Sequence, residues 1–68
     1  MNKITFSSED KIVIHEGFTL HNFKGDYIKT YTVSHCFFDE LHEVEFVEFF
    51  DGNVKYCYPS CAFDILEE

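Results

Sequence analysis

The sequence predicts an all-β domain: a small antiparallel barrel of five or six short strands. Three observations support this fold class. Apolar and polar residues alternate with a period of two along several stretches, Gly, Asp, Asn and Pro interrupt those stretches at short intervals, and no helical period persists over 11 residues. The 68 residues are 46% apolar and include nine Phe and four Tyr. Large rings can fill one small core, so we expect a single domain over residues 1–68.

The first half of the chain contains short strand candidates followed by one long strand. Residues 3–6 and 11–15 alternate in polarity, and Gly17 interrupts the second of these stretches. Residues 18–25 fit either a strand or a long structured loop. Residues 27–38 are rich in Tyr, Thr, Val and Phe and form the longest predicted strand.

The long strand has one face that is heavier in large side chains, and we assign that face to the core. It carries Tyr27, Lys29, Tyr31, Val33, His35 and Phe37. A polar turn over residues 39–42 follows, and a short helical turn in DELHEV is the alternative.

The stretch VEFVEFFDGNVKYCY, residues 44–58, predicts a β-hairpin around Asp-Gly. A three-residue Asp-Gly-Asn loop or a type I turn with Gly52 in a bulge position gives one register, whereas a two-residue Asp-Gly turn shifts the register by one residue and moves every side chain to the opposite face. We expect the first register. It places on the core side Val44, Phe46, Glu48, Phe50, Val54, Tyr56 and Tyr58. It directs Glu43, Glu45, Val47 and Phe49 outward.

The chain ends in a short turn and a closing strand. Pro59 cannot donate to a central ladder, so the strand ends there. Ser60, Cys61 and Ala62 then predict one turn of 3₁₀ helix, and residues 63–66 predict a last strand.

The order of these parts resembles the SH3-like barrel over residues 11–67, particularly its Tudor and KOW-type relatives. The most specific likeness is FFDGNVKYCYPSCAFDIL, which is similar to the distal hairpin, 3₁₀ turn and closing strand of those domains. KOW relatives bind RNA through basic loops, which the second half of this chain lacks. The Tudor resemblance implies an aromatic cage for methylated Lys or Arg. The residues that could supply it are Phe37, Phe38, Phe49, Tyr56 and Tyr58, with Asp39.

Charge is distributed unevenly along the chain. The net charge is −8, and residues 39–68 carry all of it, because the four Lys of residues 1–38 balance four acids there. All five basic residues are Lys. The absence of Arg argues against direct binding of nucleic acid, which guanidinium groups usually mediate. No apolar run suits a membrane span and the start does not resemble a secretory signal, so we expect a cytoplasmic protein.

Residues suited to metal binding or catalysis are present but badly spaced. Five side chains are of zinc-ligand type: His35, Cys36, His42, Cys57 and Cys61. Adjacent residues on a strand point to opposite faces, which separates His35 from Cys36. We therefore expect free thiols, no metal and no cofactor, with a zinc-stabilised domain as an alternative. Glu43 and Glu45 would lie about 7 Å apart on one strand face. Without a pocket to shift a pKa they do not indicate an enzyme, and we expect no catalytic residue.

The acidic segment is the predicted contact surface for a basic protein partner. The predicted partner-binding residues are Asp39, Glu40, Glu43, Glu45, Val47, Phe49 and Asp51. In size and acidity the chain is similar to small phage or mobile-element inhibitor proteins. That likeness implies carboxylates that replace nucleic-acid phosphates on a host protein, in the host cytoplasm. The alternative is a peptide-binding module whose acids serve solubility only, and an exposed strand edge could also support a homodimer.

Overall fold

The structure is a computed structural model that describes residues 4–66, and it contains one open antiparallel sheet of five strands. The strands are β1 (Lys11–Ile14), β2 (Tyr31–Asp39), β3 (Val44–Asp51), β4 (Val54–Pro59) and β5 (Phe63–Ile65). A 3₁₀ turn, Ser60–Ala62, precedes β5, and the sheet order is β4-β3-β2-β1-β5. The all-β prediction is confirmed. The sheet is not closed into a barrel, and β4 and β5 form its two edges.

Two further predictions are an N-terminal strand over residues 3–6 and, as an alternative, a short helical turn in DELHEV. Residues 4–6 of the candidate N-terminal strand form no strand, and Lys3 lies outside the described residues. Over residues 40–43 the chain forms a turn rather than a helix. None of the helical structure in residues 4–66 has the length and apolar character needed to cross a membrane.

A β-bulge in β2 reverses the faces of its second half. Val33 pairs with Phe49 and His35 with Glu48, so β2 uses one more residue than β3 at this point. An extra residue in one strand shifts the side-chain alternation by one position. Beyond the bulge, Cys36 therefore lies on the core side.

The bulge explains which predictions for the long strand fail. Tyr31 and Val33 are buried, as expected, whereas His35 and Phe37 are exposed. Tyr27 and Lys29 are also exposed, because β2 begins only at Tyr31 and both residues lie in the preceding loop. The core-face prediction is therefore wrong for four of its six residues.

The β3–β4 hairpin has neither of the predicted loops: its strand faces are those of the two-residue Asp-Gly alternative, but its loop begins one residue later. Asp51 pairs with Val54, which leaves a two-residue loop of Gly52 and Asn53. Gly52 has φ +65°, a value that glycine adopts without the steric penalty of a Cβ. A two-residue turn with Gly at its first position has a backbone twist that matches the right-handed twist of the flanking strands.

This register reverses the predicted faces of β3. Glu45, Val47 and Phe49 point inward and are buried, and the last two pair with Tyr58 and Tyr56. The residues that point outward are Val44, Phe46, Glu48 and Phe50. Burial of Phe49 among other rings favours the observed register, because the expected register would expose both Val47 and Phe49.

The core is a cluster of aromatic and aliphatic side chains around Phe49. Its buried members are Phe6, Ile12, Ile14, Leu20, Tyr31, Val33, Val47, Phe49, Ala62 and Phe63. The ring of Phe49 lies 4.8 Å from that of Tyr31 and 5.4 Å from that of Phe63, centroid to centroid. Offset and edge-on ring pairs of this kind stabilise a core beyond simple burial.

Residues 15–30 form a structured loop over the core rather than a strand. Tyrosine hydroxyls satisfy several of its backbone groups: Tyr58 donates to the carbonyl of His21 at 2.7 Å, and Tyr31 accepts from the N–H of Asp26 at 3.0 Å. The loop also inserts Phe23 against Tyr56, with ring centroids 4.8 Å apart. The loop thus completes the core that a small sheet alone would leave open.

The carboxylate of Glu45 anchors the N-terminal segment to the sheet. It accepts hydrogen bonds from the N–H of Thr5 (2.8 Å), the hydroxyl of Thr5 (2.7 Å) and the N–H of Phe6 (2.9 Å), and the Ser60 side chain adds another. The side chain is buried, and Glu45 is only 7% exposed. Burial acts to raise the pKa of Glu45, but the hydrogen bonds from Phe6, Thr5 and Ser60 outweigh it and lower the pKa.

Glu45→Gln should destabilise the protein by about 2 kcal/mol, because a neutral amide accepts the N–H groups of Thr5 and Phe6 more weakly than a carboxylate does, and its N–H₂ replaces the oxygen that accepts from the Thr5 hydroxyl. Urea unfolding followed by circular dichroism measures the change. Glu40→Gln is the control, since Glu40 is exposed in the turn, and it should change the unfolding free energy by less than about 0.5 kcal/mol. Equal effects of the two substitutions would contradict the anchoring role.

The stability that Glu45 provides should depend on pH. Its folded pKa is lowered below the unfolded value of about 4.3, so its contribution is complete above that value and is lost as the pH falls through the folded pKa. The difference in unfolding free energy between the natural protein and Glu45→Gln should therefore shrink from pH 6 to pH 3. A difference that stays constant over this range would show that the charge of Glu45 is irrelevant.

The hairpin register predicts opposite effects for two adjacent Phe residues. Phe49 is fully buried and Phe50 is 50% exposed. Phe49→Ala should cost about 4 kcal/mol of stability, the usual loss for a core Phe, and Phe50→Ala less than about 1 kcal/mol. Chemical unfolding of both variants tests the register, and the reverse order would support the three-residue loop.

Candidate functional site

The solvent side of β2, β3 and β4 carries an unusual set of side chains for an exposed surface. We call it the outer face and define it by ten residues that the strand pairing places on one side: His35, Phe37, Asp39, Val44, Phe46, Glu48, Phe50, Lys55, Cys57 and Pro59. Side chains directly opposite each other on neighbouring strands form cross-strand rows. One row is Phe37, Phe46 and Pro59, and the next is His35, Glu48 and Cys57.

The apolar part of the outer face centres on a stacked ring pair. Phe37 and Phe46 pair across β2 and β3, with ring centroids 5.4 Å apart and an angle of 24° between the planes. Phe37 is 41% exposed and Phe50, further along β3, is 50% exposed. Several large apolar side chains on one exposed sheet face are characteristic of a contact surface, whereas isolated ones are common everywhere.

Carboxylates lie directly beside the ring pair. Glu48 follows Phe46 on the same face of β3, and its oxygen lies 3.7 Å from the Lys55 nitrogen. Asp39 follows Phe37 on the same face of β2 and lies 2.8 Å from Nδ1 of His42. The hydrogen bond from the His42 side chain lowers the pKa of Asp39, with the N–H groups of His42 and Leu41 contributing. Asp39 is therefore ionised well below neutral pH.

The β2–β3 turn extends the outer face with an exposed apolar tip. Leu41 is 86% exposed, and its two acidic neighbours in the turn, Glu40 and Glu43, are exposed as well. Asp39 shapes the turn by accepting hydrogen bonds from the N–H groups of Leu41 (3.0 Å) and His42 (3.3 Å). The turn therefore holds one apolar side chain between two carboxylates, away from the body of the protein.

The predicted partner-binding residues divide into two groups in the structure. Asp39, Glu40 and Glu43 lie on the outer face or its turn, and Asp51 at the end of β3 pairs with Lys29 at 3.3 Å. The other three, Glu45, Val47 and Phe49, are buried and cannot contact a partner in this fold. Their assignment to an exposed surface is wrong because it followed from the wrong hairpin register.

Four residues of the outer face and its turn were missed by sequence reasoning: Leu41, Phe46, Glu48 and Phe50. The two-residue Asp-Gly alternative groups the last three with Lys55 and Cys57, as the structure does, so the signal was present in that alternative. Leu41 carries no periodic signal because it lies within a turn.

Only three of the residues considered for an aromatic cage, Phe49, Tyr56 and Tyr58, lie together. Phe37 lies on the outer face, whereas Phe49, Tyr56 and Tyr58 lie on the core side of the sheet. The ring of Phe23 packs among these core-side rings, 4.8 Å from Tyr56 and 6.1 Å from Tyr58. Phe38 pairs with Glu45 and so shares its side of the sheet.

The three cysteines are free and separated. Cys36 lies on the core side, where its thiol donates to the carbonyl of Phe6 at 2.9 Å, and burial raises its pKa. Cys57 lies on the outer face, and burial together with the charge of Glu48 raises its pKa. Cys61 is exposed in the 3₁₀ turn. Within residues 4–66, no three His, Cys, Asp or Glu side chains are grouped as metal ligands.

Comparison with protein-family models, with curated proteins and with solved structures finds no match to this chain.

Proposed function

We propose that this protein is a non-enzymatic binding protein that holds a basic protein partner against its outer face and the adjoining turn. The observation that carries the proposal is the stacked pair of exposed Phe37 and half-buried Phe46 on the outer face, flanked by the carboxylates of Asp39 and Glu48. Apolar anchors with charged groups around them have the composition of a protein interface.

The rings and the carboxylates have different roles in this proposal. Phe37, Phe46 and Leu41 lose contact with water on binding and supply most of the affinity. The carboxylates select a cationic partner and accelerate its approach. The Glu48–Lys55 contact, at 3.7 Å, is a surface ion pair of the kind that contributes at most about 1 kcal/mol. A partner's Lys or Arg can replace it at little cost.

The chemistry of the outer face favours a partner whose own surface binds phosphate. The outer face and its turn carry Asp39, Glu40, Glu43 and Glu48 against a single Lys, Lys55. Carboxylates so arranged can occupy the place of phosphates on a nucleic-acid-handling protein, as in a phage-type inhibitor. We infer an SH3-like origin from the order of strands, long loop, hairpin and 3₁₀ turn, with the sheet left open in this chain.

Capture experiments with matched variants test the acidic part of the surface. The immobilised full-length protein is incubated with lysate from its source organism at low and high salt, and bound proteins are quantified by mass spectrometry. Glu43→Lys should reduce capture of a salt-sensitive basic protein about tenfold. Glu9→Lys is the matched control, because both Glu residues are exposed and have positive φ, 57° and 74°, and it should reduce capture less than twofold.

The apolar part is tested in the same assay. Phe37→Ala should reduce capture about tenfold or more, as expected for an interface anchor. Ile65→Ala is its control, since Ile65 is exposed to nearly the same extent (40% against 41%) but lies on β5. Equal capture by Phe37→Ala and the natural protein, or equal losses for Glu43→Lys and Glu9→Lys, would overturn the proposal.

A further inference from the structure

A cavity of about 380 Å³ lies at the end of β1, against the loop that leads to β2, and shares no residue with the outer face. Its main lining residues are Val13, His15, Glu16, Phe18, Tyr27 and Ile28. A volume of this size falls within the range of small-ligand sites. Three of the lining side chains are apolar yet exposed: Phe18 (38%), Tyr27 (38%) and Ile28 (88%).

Local hydrogen bonds hold the walls of the cavity in place. The N–H of Phe18 donates to the carbonyl of His15 at 3.1 Å, and Gly17 has the positive φ (92°) that the third position of a type II turn needs. The hydroxyl of Tyr27 accepts from the N–H of Leu20 at 2.9 Å, which fixes the opposite wall. The site is therefore preorganised, which reduces the entropy cost of binding.

Two side chains of the cavity, His15 and Glu16, offer hydrogen-bond acceptors, whereas the Tyr27 hydroxyl bonds to the backbone of Leu20. Nδ1 of His15 lies 2.8 Å from an Asp64 carboxylate oxygen, and because a carboxylate only accepts, Nδ1 carries the proton. In the neutral ring Nε2 is then an acceptor. Glu16 adds a carboxylate, and none of the lining residues is Lys. A complementary ligand must therefore donate hydrogen bonds and carry positive charge.

The apolar walls define the rest of the ligand. Val13, Phe18, Tyr27 and Ile28 surround the space from both the strand and the loop. A ring or branched group would fill this volume, whereas a short unbranched chain would leave much of it empty.

We propose that this cavity is a binding site for a primary ammonium group attached to a bulky apolar body. The ammonium donates to the carboxylate of Glu16 and to Nε2 of His15, and the body packs against Phe18, Tyr27 and Ile28. Asp64 is a positioning residue that holds the His15 ring in the accepting tautomer. The ligand is either a free apolar amine or the N-terminal residue of a peptide, since both present this chemistry.

The test is an NMR titration of the ¹⁵N-labelled full chain with 2-phenylethylamine. The amides of Gly17, Phe18 and Ile28 should shift in a saturable way. The N,N,N-trimethyl analogue keeps the charge but has no N–H donors, and it should bind about tenfold more weakly, the effect of losing a charge-assisted hydrogen bond. Ethylamine lacks the apolar body and should bind at least tenfold more weakly.

Two variants test whether the lining residues bind the probe. Glu16→Gln and Ile28→Ala alter exposed side chains and should keep the fold, which the same spectra verify. Each should weaken 2-phenylethylamine binding by about fivefold or more. No saturable shift at the cavity, equal binding of the trimethyl analogue or of ethylamine, or unchanged binding by both variants would each overturn the proposal.

A final comparison assigns the source of the ligand. The tripeptide Phe-Ala-Ala amide is titrated beside its N-acetylated form. Binding of the free tripeptide, but not of its acetylated form, supports the proposal and assigns the site to a peptide N-terminus. Binding of 2-phenylethylamine without either tripeptide supports it and assigns the site to a small amine. Equal binding of the two tripeptides would overturn it, because the acetylated form has no ammonium. Outer-face variants such as Phe37→Ala should not affect any of these titrations, so this proposal and the proposed function can fail independently.

Discussion

The hydrogen bonds of the buried Glu45 carboxylate join the N-terminal segment to the sheet. The carboxylate satisfies the backbone of Thr5 and Phe6, and in doing so it holds the ring of Phe6 in the core. A buried charge is costly unless hydrogen bonds replace its water, and here Thr5, Phe6 and Ser60 provide that replacement. A sheet of five short strands cannot cover its own core, so an N-terminal segment without regular structure completes it.

Two local irregularities then decide what the protein presents to solvent. The bulge between Val33 and His35 places Phe37 on the same side of the sheet as Phe46, and without it the two rings would lie on opposite sides. The two-residue loop after Asp51 sets the β3–β4 pairing, which adds Lys55, Cys57 and Pro59 to that side. The outer face is therefore a product of the backbone geometry of three neighbouring strands.

The two proposed sites have different chemistry but share a preference for positive charge. The outer face is broad, open and suited to a protein surface, whereas the cavity beside β1 is small and lined by acceptors. A net charge of −8 favours the approach of cations to both. Burial of Glu45 and the pairing of Asp51 with Lys29 remove two carboxylates from the exposed set. Fewer carboxylates are therefore exposed than the acidic segment, residues 39–68, contains.

The all-β class, the positions of β1 and of the hairpin strands, and the 3₁₀ turn after Pro59 could all be predicted from the amino-acid sequence. Alternation and turn residues act locally, so these features can be read from neighbours along the chain. The candidate site was predicted only in part: Asp39, Glu40 and Glu43 are accessible, whereas Glu45, Val47 and Phe49 are not. Which face of β3 is buried was decided by tertiary structure, because Phe49 packs on residues as distant as Tyr31 and Phe63. Likewise, a buried role for Glu45 requires Thr5, 40 residues away in the chain, and only the folded structure brings the two together.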